Sequence, residues 1–258
     1  MKLLSTFTFL FISTFLLSQP TRNLVGYYSM NSDRAIDEGI TPNPEGIVNG
    51  SPINACGING QSLQFDGVDD EIIFEGDWAG HLDGDFTISF HMLPDPAPGL
   101  QEIMSFVDTC SGNSFFNILY NRASNNVIAN ISDEANINIS LFGDLDPNTC
   151  WQHIILRREQ GRVEFFVNNR LEGTDASPTR IPFQDSAVFR ISGGPCIDAG
   201  LFSRYQGRLD ELRVYNRLVT IEEFQSLGFN EDEILTPDTT ILDGASVQIR
   251  TSTTCASS

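Results

Sequence analysis

Hydrophobic and polar residues alternate along most of the chain between residues 24 and 216, which is the pattern of β-strands. In DFTISFHML, every second residue from Phe86 to Met92 is apolar, the period of a strand that is buried on one face. RVEFFVNNRLEG alternates in the same way and then places Asn168 and Asn169 where a hairpin turn needs residues that tolerate a positive φ. Clusters of Gly, Asn, Asp and Pro separate such runs at the spacing of roughly 8 to 12 residues that is typical of a sandwich or jelly roll. The pattern therefore predicts an all-β fold.

The stretch LQFDGVDDEIIF carries four carboxylates between two apolar runs, and two interpretations are open. Clustered acids can hold a metal or perform acid/base chemistry, or they can face water at a tight connection between two strands. Because Asp66-Gly67 is a strong turn signal, the hairpin interpretation is favoured. The four acids are Asp66, Asp69, Asp70 and Glu71.

One short helix is predicted near the end of the strand pattern, at TIEEFQSLG, residues 220 to 228. Thr220 and Glu223 have the spacing of a capping box, and Gly228 is suited to the C-terminus. The acidic, proline-terminated stretch that follows, residues 229–237, is predicted to be a linker.

Composition and charge limit the partners of the protein. The 258 residues are 40% hydrophobic, enough for a large all-β domain with a real core. The 34 acidic and 15 basic residues give a net charge of −19, which argues against nucleic acid and anionic membranes as partners.

The first 18 residues have the features of a secretory signal peptide: Lys2, an apolar and hydroxyl stretch from Leu3 to Leu17, and then small and polar residues. The apolar stretch, about fifteen residues, is shorter than the roughly 20 that span a bilayer. We therefore expect a secreted or cell-surface protein without membrane insertion.

Five cysteines fall in the exported part of the chain, where an oxidising compartment favours disulfides. Their spacing, without close Cys or His neighbours, argues against a zinc site. We predict two disulfides among four of them, with three pairings open and Cys255 outside. The four are Cys56, Cys110, Cys150 and Cys196.

Four segments in order resemble the laminin G-like jelly roll, the concanavalin A-like lectin and glucanase fold of bacterial secreted and surface proteins. They are LVGYYSMNSDRAIDEG, LQFDGVDDEIIF, WQHIILRREQGRVEFFVNNRLEG and YQGRLDELRVYNRLVTIEEFQSL. The resemblance covers residues 24–228 and implies a two-sheet antiparallel jelly-roll sandwich with one short C-terminal helix. Asn169 stands where the family usually has Gly.

Residues 238–258 resemble the first strands of an immunoglobulin-like or PKD-like repeat. This second resemblance implies that the chain is the front end of a longer surface protein with further domains, or the product of a shortened reading frame, and that Cys255 would pair within the missing part of the repeat.

Catalytic motifs of the fold are absent from the sequence. Retaining glucanases need two carboxylates about 5 Å apart, and the nearest match to their Glu-x-Asp-x-x-Glu pattern, EGDWAG, lacks the final acid. There is no sialidase Asp box and no Gly-x-Ser-x-Gly elbow. His91 and His153 alternate with apolar strand positions, which indicates packing rather than ligation.

The resemblance and the missing motifs together predict a non-catalytic carbohydrate- or protein-binding adhesion module, with a glycan or an extracellular protein as its ligand. A glycoside hydrolase or polysaccharide-processing enzyme of the same fold is the alternative. Trp78, among Gly, Asp and His in an expected loop, is the candidate for stacking on a sugar, whereas Trp151 is expected to pack in the core.

A structural Ca²⁺ is the one expected cofactor. In RLDELRVY, Asp210 shares a face with Leu212 and Val214, and a carboxylate that points inward needs a cation or several donors. The family resemblance implies a site formed by Asp37, Asp210 and backbone carbonyls such as that of Gly46. The alternative is that Asp210 accepts backbone N–H bonds from the loop of residues 37 to 46.

Overall fold

The computed structural model describes residues 21–227, except residues 41, 111–114, 134 and 136. The predicted signal peptide, the linker and the repeat-like tail lie outside the described residues, as does Gly228. Within the described part of the chain, no helix combines the length and apolarity that crossing a membrane requires.

The described residues form sixteen strands and three short helices. The first eight strands are β1 (Leu24–Tyr28), β2 (Ile47–Asn49), β3 (Ile53–Cys56), β4 (Gln61–Asp66), β5 (Glu71–Phe74), β6 (Phe86–Pro94), β7 (Leu100–Val107) and β8 (Phe115–Asn121). The others are β9 (Asn126–Ser132), β10 (Asn138–Asp144), β11 (Gln152–Glu159), β12 (Arg162–Val167), β13 (Arg170–Ala176), β14 (Val188–Ile191), β15 (Ser203–Arg204) and β16 (Gln206–Tyr215). The helices are α1 (Trp78–Leu82), α2 (Pro195–Asp198) and α3 (Ile221–Gln225).

The strands form two sheets that pack as a sandwich, which confirms the predicted all-β jelly-roll class. The sheet that we call the back sheet has the order β13-β12-β11-β6-β16-β4-β3, with β1 paired to β16. The front sheet has the order β10-β9-β8-β7-β14-β5-β2, with β15 paired to β7. Apart from the β15–β7 pair, which is parallel, the neighbouring strands run antiparallel.

The core lies between the sheets and is rich in aromatic side chains. Phe74, Phe106, Phe116 and Phe189 form ring contacts with centroid separations of 5.1 to 6.4 Å. Each of these residues alternates with outward-facing neighbours on its strand, which is the two-residue period of a strand buried on one face.

Helix α3 covers part of the outer face of the back sheet. Thr220 and Glu223 form the predicted capping box. Phe224 then packs in a second apolar cluster with Ile155 and Tyr215. One outer face of the sandwich is therefore partly occupied by the protein itself.

The hairpin interpretation of LQFDGVDDEIIF is confirmed, with one refinement. Strand β4 ends at Asp66, Gly67 has a φ of 76°, and β5 begins at Glu71. Asp70 does not face water: it is buried and accepts hydrogen bonds from the Ser51 and Asp66 backbone N–H groups at 2.7 and 2.9 Å. This carboxylate therefore holds the hairpin together.

The cysteine prediction is wrong in part. Cys110 and Cys196 form a disulfide that ties α2 to the segment after β7. Cys150 is disulfide-bonded as well. Cys56 is a free thiol at the end of β3, an edge strand, where its side chain is exposed.

Candidate functional site

The residues predicted to hold Ca²⁺ take part in separate hydrogen-bond networks. Both oxygens of Asp37 are occupied: Oδ1 accepts from the Tyr27 and Gly39 N–H groups, each at 2.9 Å, and Oδ2 accepts from the Asn43 N–H at 2.7 Å and the Asn43 side chain at 2.9 Å. Gly46 pairs with Ala35 in an isolated β-bridge. Asp37 therefore has the donors that a buried carboxylate needs. Its hydrogen bonds connect the loop of residues 37 to 46 with β1.

Asp210 is buried, as its place in the pattern of β16 predicted. Its Oδ2 accepts backbone hydrogen bonds from Ile58 at 2.7 Å and from Asn59 at 3.3 Å. These donors lie in the turn between β3 and β4, so the prediction that they come from the loop of residues 37 to 46 is wrong. Burial, and next the adjacent Glu211, raises the pKa of Asp210 to about 8. Its Oδ1 has no hydrogen-bond partner within the described residues. The calcium site stays a prediction, and Asp210 is the residue on which it depends.

Trp78 was predicted to stack on a ligand, and this prediction is wrong. It is 2% exposed and opens helix α1, where its indole packs edge-on against Phe189 at 5.1 Å and Phe74 at 6.2 Å. Asp77 caps this helix by accepting a hydrogen bond from the Gly80 N–H. The segment read as a loop is therefore a helical turn that directs Trp78 into the core. Trp151 is buried too, as predicted.

His91 and His153 also pack, as predicted. Their rings are stacked with centroids 4.3 Å apart, on the outer face of the back sheet, and Phe224 of α3 covers His153 edge-on. Burial lowers both pKa values, that of His153 to about 4. Neutral, enclosed imidazoles of this kind stabilise the packing of α3.

The outer face of the front sheet is different, because polar side chains line up across four neighbouring strands. We call this set, Ser105, Asn117, Asn130 and Ser140, the polar row. These residues pair directly in the register of β7, β8, β9 and β10. Asn130 Nδ2 donates to Asn117 Oδ1 at 2.8 Å, and Ser140 Oγ donates to Asn130 Oδ1 at 2.7 Å. The row runs from a buried inner end to an exposed outer end.

An apolar row lies directly beside the polar row. Leu119, Ile128 and Phe142 pair across β8, β9 and β10, each two residues away from the polar-row residue of its strand. Phe142 is 54% exposed on β10, the edge strand of this sheet. We call the polar row and this apolar row together the open face. It offers amide and hydroxyl groups next to an exposed aromatic ring.

Glu102 closes the inner end of the polar row. The residue is fully buried on β7, and its Oε1 accepts a hydrogen bond from Ser105 Oγ at 3.0 Å. Gly194, just before α2, has a φ of 151° and lies so close that a Cβ there would fall 2.7 Å from Oε1. Burial raises the pKa of Glu102 to about 7. This carboxyl is thus enclosed by the segment that leads into α2.

Two cavities lie at the rim of the sandwich, on either side of the segment from Leu145 to Pro147. One, of about 300 Å³, is lined by Arg122, Asn125 and the proline rings of β6 and its following loop. The other, of about 510 Å³, is lined by Asn168 and Arg170. Several of their polar groups already bond within the chain: Asp146 Oδ1 accepts from Asn148, and the Gln152 amide bonds to Asp146 and Thr149.

Three acids of the β4–β5 hairpin come within 4.8 Å of one another: Asp66, Asp69 and Asp70. Asp70 uses both of its oxygens on backbone N–H groups, and Asp66 Oδ1 accepts from the Val68 N–H at 2.7 Å. These bonds account for the geometry of the hairpin.

A family model described as "Concanavalin A-like lectin/glucanases superfamily", of the laminin G type, matches residues 66–225, more than half of the chain. The chain belongs to this family. A search of curated proteins gave no match. The matched region and the structural likenesses give no support to an immunoglobulin-like or PKD-like repeat after the predicted linker.

Solved structures with the same fold include domains whose names state binding. The binding domain of botulinum neurotoxin serotype D/C is 12% identical with a TM-score of 0.65, and the match covers 83% of this chain and 54% of that one. The binding domain of Paraclostridial Mosquitocidal Protein 1 is 16% identical with a TM-score of 0.62, with 83% and 54% covered. This chain therefore spans about half the length of these toxin domains, and the likeness shows the fold.

A third structure matches almost end to end. Domain 4 of AbnA, an extracellular arabinanase from Geobacillus stearothermophilus, was solved in complex with arabinotriose. It is 14% identical with a TM-score of 0.61, and the match covers 80% of this chain and 98% of that one. The botulinum neurotoxin DC binding domain was solved with SialylT and with rat synaptotagmin II. The fold thus occurs in modules that bind glycans and in one that binds a protein.

Sequence reasoning missed the open face altogether. The alternation in NVIANIS and NISLFGD already indicates that Asn130, Ser140 and Phe142 point away from the core. It does not indicate that they are neighbours, because the register between strands depends on turns and core packing elsewhere.

Proposed function

We propose that the chain is a secreted, non-catalytic glycan-binding module of a cell-surface or adhesion protein, and that its ligand lies on the open face. The observation that carries this proposal is the pairing of a hydrogen-bonded polar row with an exposed aromatic ring at Phe142. Sugar rings present hydroxyl groups at their edges and C–H groups on their faces. A surface that has amides and a phenyl ring side by side is complementary to both.

The distribution of acids favours binding over hydrolysis. Retaining glycosidases need an acid and a nucleophile about 5 Å apart, both in contact with the sugar. On the outer face of the front sheet, Glu102 is fully buried, Glu71 forms an ion pair with Arg204 at 3.1 Å, and Asp144 is exposed at the end of β10. Neither Glu102 nor Glu71 is free to act as the second carboxylate that Asp144 would need for this chemistry. The glycan complex of the arabinanase domain supports the same class of ligand.

The test begins with a glycan array probed with the full mature chain, including arabino-oligosaccharides and sialylated glycans. The best ligand is then titrated by calorimetry against two variants. Phe142→Ala should weaken binding about tenfold or more, because truncating a central aromatic anchor costs more than ~1.4 kcal/mol. Ile53→Ala, an exposed aliphatic residue on the back sheet, is the matched control and should leave the affinity unchanged. Equal affinities for the two variants would refute the site.

A further inference from the structure

Burial limits the part of the open face that a ligand can reach. Asn117 is 6% exposed and Leu119 is 3% exposed, so both rows are covered over β8. The residues of the two rows on β9 are half-buried, and those on β10 are exposed. A ligand therefore contacts the face along β9 and β10, where the polar row ends in Asn130 and Ser140 and the apolar row ends in Phe142.

Asn130 and Ser140 form a hydrogen-bonded pair that keeps one donor and one acceptor for a ligand. Ser140 Oγ donates its hydrogen to Asn130 Oδ1 at 2.7 Å, which leaves the hydroxyl oxygen as an acceptor. The amide nitrogen of Asn130 carries two hydrogens, and one of them is donated to Asn117 Oδ1 at 2.8 Å. No other group in the described part of the chain accepts the second hydrogen. The pair therefore presents an N–H donor beside a hydroxyl acceptor.

Two hydroxyl groups on neighbouring carbons of a sugar ring, a vicinal diol, are complementary to this pair. Each hydroxyl is both a donor and an acceptor, so one accepts from the Asn130 N–H while the other donates to Ser140 Oγ. The oxygens of neighbouring ring hydroxyls lie about one hydrogen-bond length apart, like Ser140 Oγ and Asn130 Oδ1 at 2.7 Å. A sugar in which one of these hydroxyls is missing or blocked loses one of the two bonds.

Phe142 is placed to stack on the same sugar. Ser140 and Phe142 point to the same side of β10 and are two residues apart, a spacing of roughly 7 Å. A sugar ring that stacks through its C–H face on Phe142 therefore directs its hydroxyl edge toward Ser140 and Asn130. The three side chains together contact one face and one edge of a single ring.

The charges around this contact disfavour an acidic sugar. The polar and apolar rows contain no basic side chain, and Asp144, the next outward-facing residue of β10 after Phe142, is an exposed carboxylate. The whole chain has a net charge of −19. A carboxylated or sulfated sugar would be repelled here and would have no cation within the two rows to pair with.

We infer that the open face selects neutral glycans with an unsubstituted vicinal diol, which Asn130 and Ser140 bind while the sugar ring stacks on Phe142. This inference rests on the proposed function and narrows its ligand class. Uronic acids, sulfated sugars and sugars without a free diol are the classes that it rejects.

The first test compares glycans on the array. The probes are neutral oligosaccharides, their derivatives that each lack one hydroxyl, and uronic-acid oligomers such as trigalacturonic acid. The best ligand of the natural chain should be neutral, and only the loss of either of two adjacent hydroxyls should weaken binding, by about three- to tenfold for one hydrogen bond. A best ligand that is carboxylated or sulfated, or one that tolerates the loss of every single hydroxyl, would overturn the inference and leave the glycan site standing.

The second test joins the diol to Ser140. Ser140→Ala removes the acceptor at an exposed position and should weaken the best neutral glycan about three- to tenfold. In this variant, removing the sugar hydroxyl that donates to Ser140 should have no further effect. Asn138→Ala, exposed on the same side of β10 but on the far side of Ser140 from Phe142, is the matched control and should leave the affinity unchanged.

The outcomes separate this inference from the proposed function. A glycan that needs Phe142 but loses the same factor on removal of each hydroxyl in the natural chain and in Ser140→Ala would refute the recognition of a diol, with the open face still the binding site. An array on which no glycan binds would refute the proposed function, and the inference with it.

Discussion

Replacing Glu102 by Gln should stabilise the protein, and only above the pH at which the acid ionises. Full burial on β7 raises the pKa of Glu102 from an ordinary 4.5 to about 7. Between these values the folded chain holds the proton more tightly than the unfolded chain, so stability falls as the pH rises through this window. At about 1.4 kcal/mol for each tenfold change in proton affinity, the loss is roughly 3 kcal/mol and is complete above pH 7.

Glutamine keeps the shape and stays neutral, so Glu102→Gln escapes this loss. Urea unfolding at pH 4.5 should give the natural chain and the variant nearly equal free energies of unfolding. At pH 8 the variant should be more stable by roughly 3 kcal/mol, and Glu75→Gln should follow the natural chain at both pH values. A difference between Glu102→Gln and the natural chain that is the same at pH 4.5 and pH 8 would refute the argument from burial.

Three further predictions concern the core, the disulfide and calcium. Trp78→Ala should lower the free energy of unfolding by about 3 to 5 kcal/mol in urea, because it empties a site between the sheets; a loss below about 1 kcal/mol would contradict the burial of the indole. Cys196→Ser should cost about 2 to 5 kcal/mol in the same assay, since it opens a loop of 86 residues, and an unchanged stability would mean that Cys110 has no bond to lose. If Asp210 holds Ca²⁺, EGTA should lower the melting temperature of the natural chain and leave Asp210→Asn unaffected, whereas a melt indifferent to calcium would end that prediction.

The alternation of apolar residues was sufficient to predict an all-β fold, whereas the two-sheet jelly-roll arrangement was implied by the family resemblance. The alternation identified the inward faces of β6 and β12, because side chains on a strand alternate by geometry alone. The capping box of α3 was predicted for a similar reason, since Thr220 and Glu223 bond within one turn. Features that depend on residues close together in the chain are the ones that sequence reasoning recovers.

Features that depend on packing between distant segments were missed. Trp78 lies among polar residues in the sequence, yet Phe74 and Phe189 receive its ring in the core. Asp70 was expected to face water, because its hydrogen-bond donor Ser51 is distant in the sequence, with strands β3 and β4 between the two residues. The polar row likewise depends on the register of four strands, which no single stretch of sequence encodes.

The most direct test of the account is an NMR map of where a glycan binds. Backbone amide signals of the mature chain are followed while the best array ligand is added, at pH 8. The account predicts that the largest shifts fall on β8, β9 and β10 around Asn130 and Phe142, with small changes on the back sheet. Shifts centred instead on the rim cavities around Arg122 and Arg170, or on α3, would contradict the claim that the open face is the binding site.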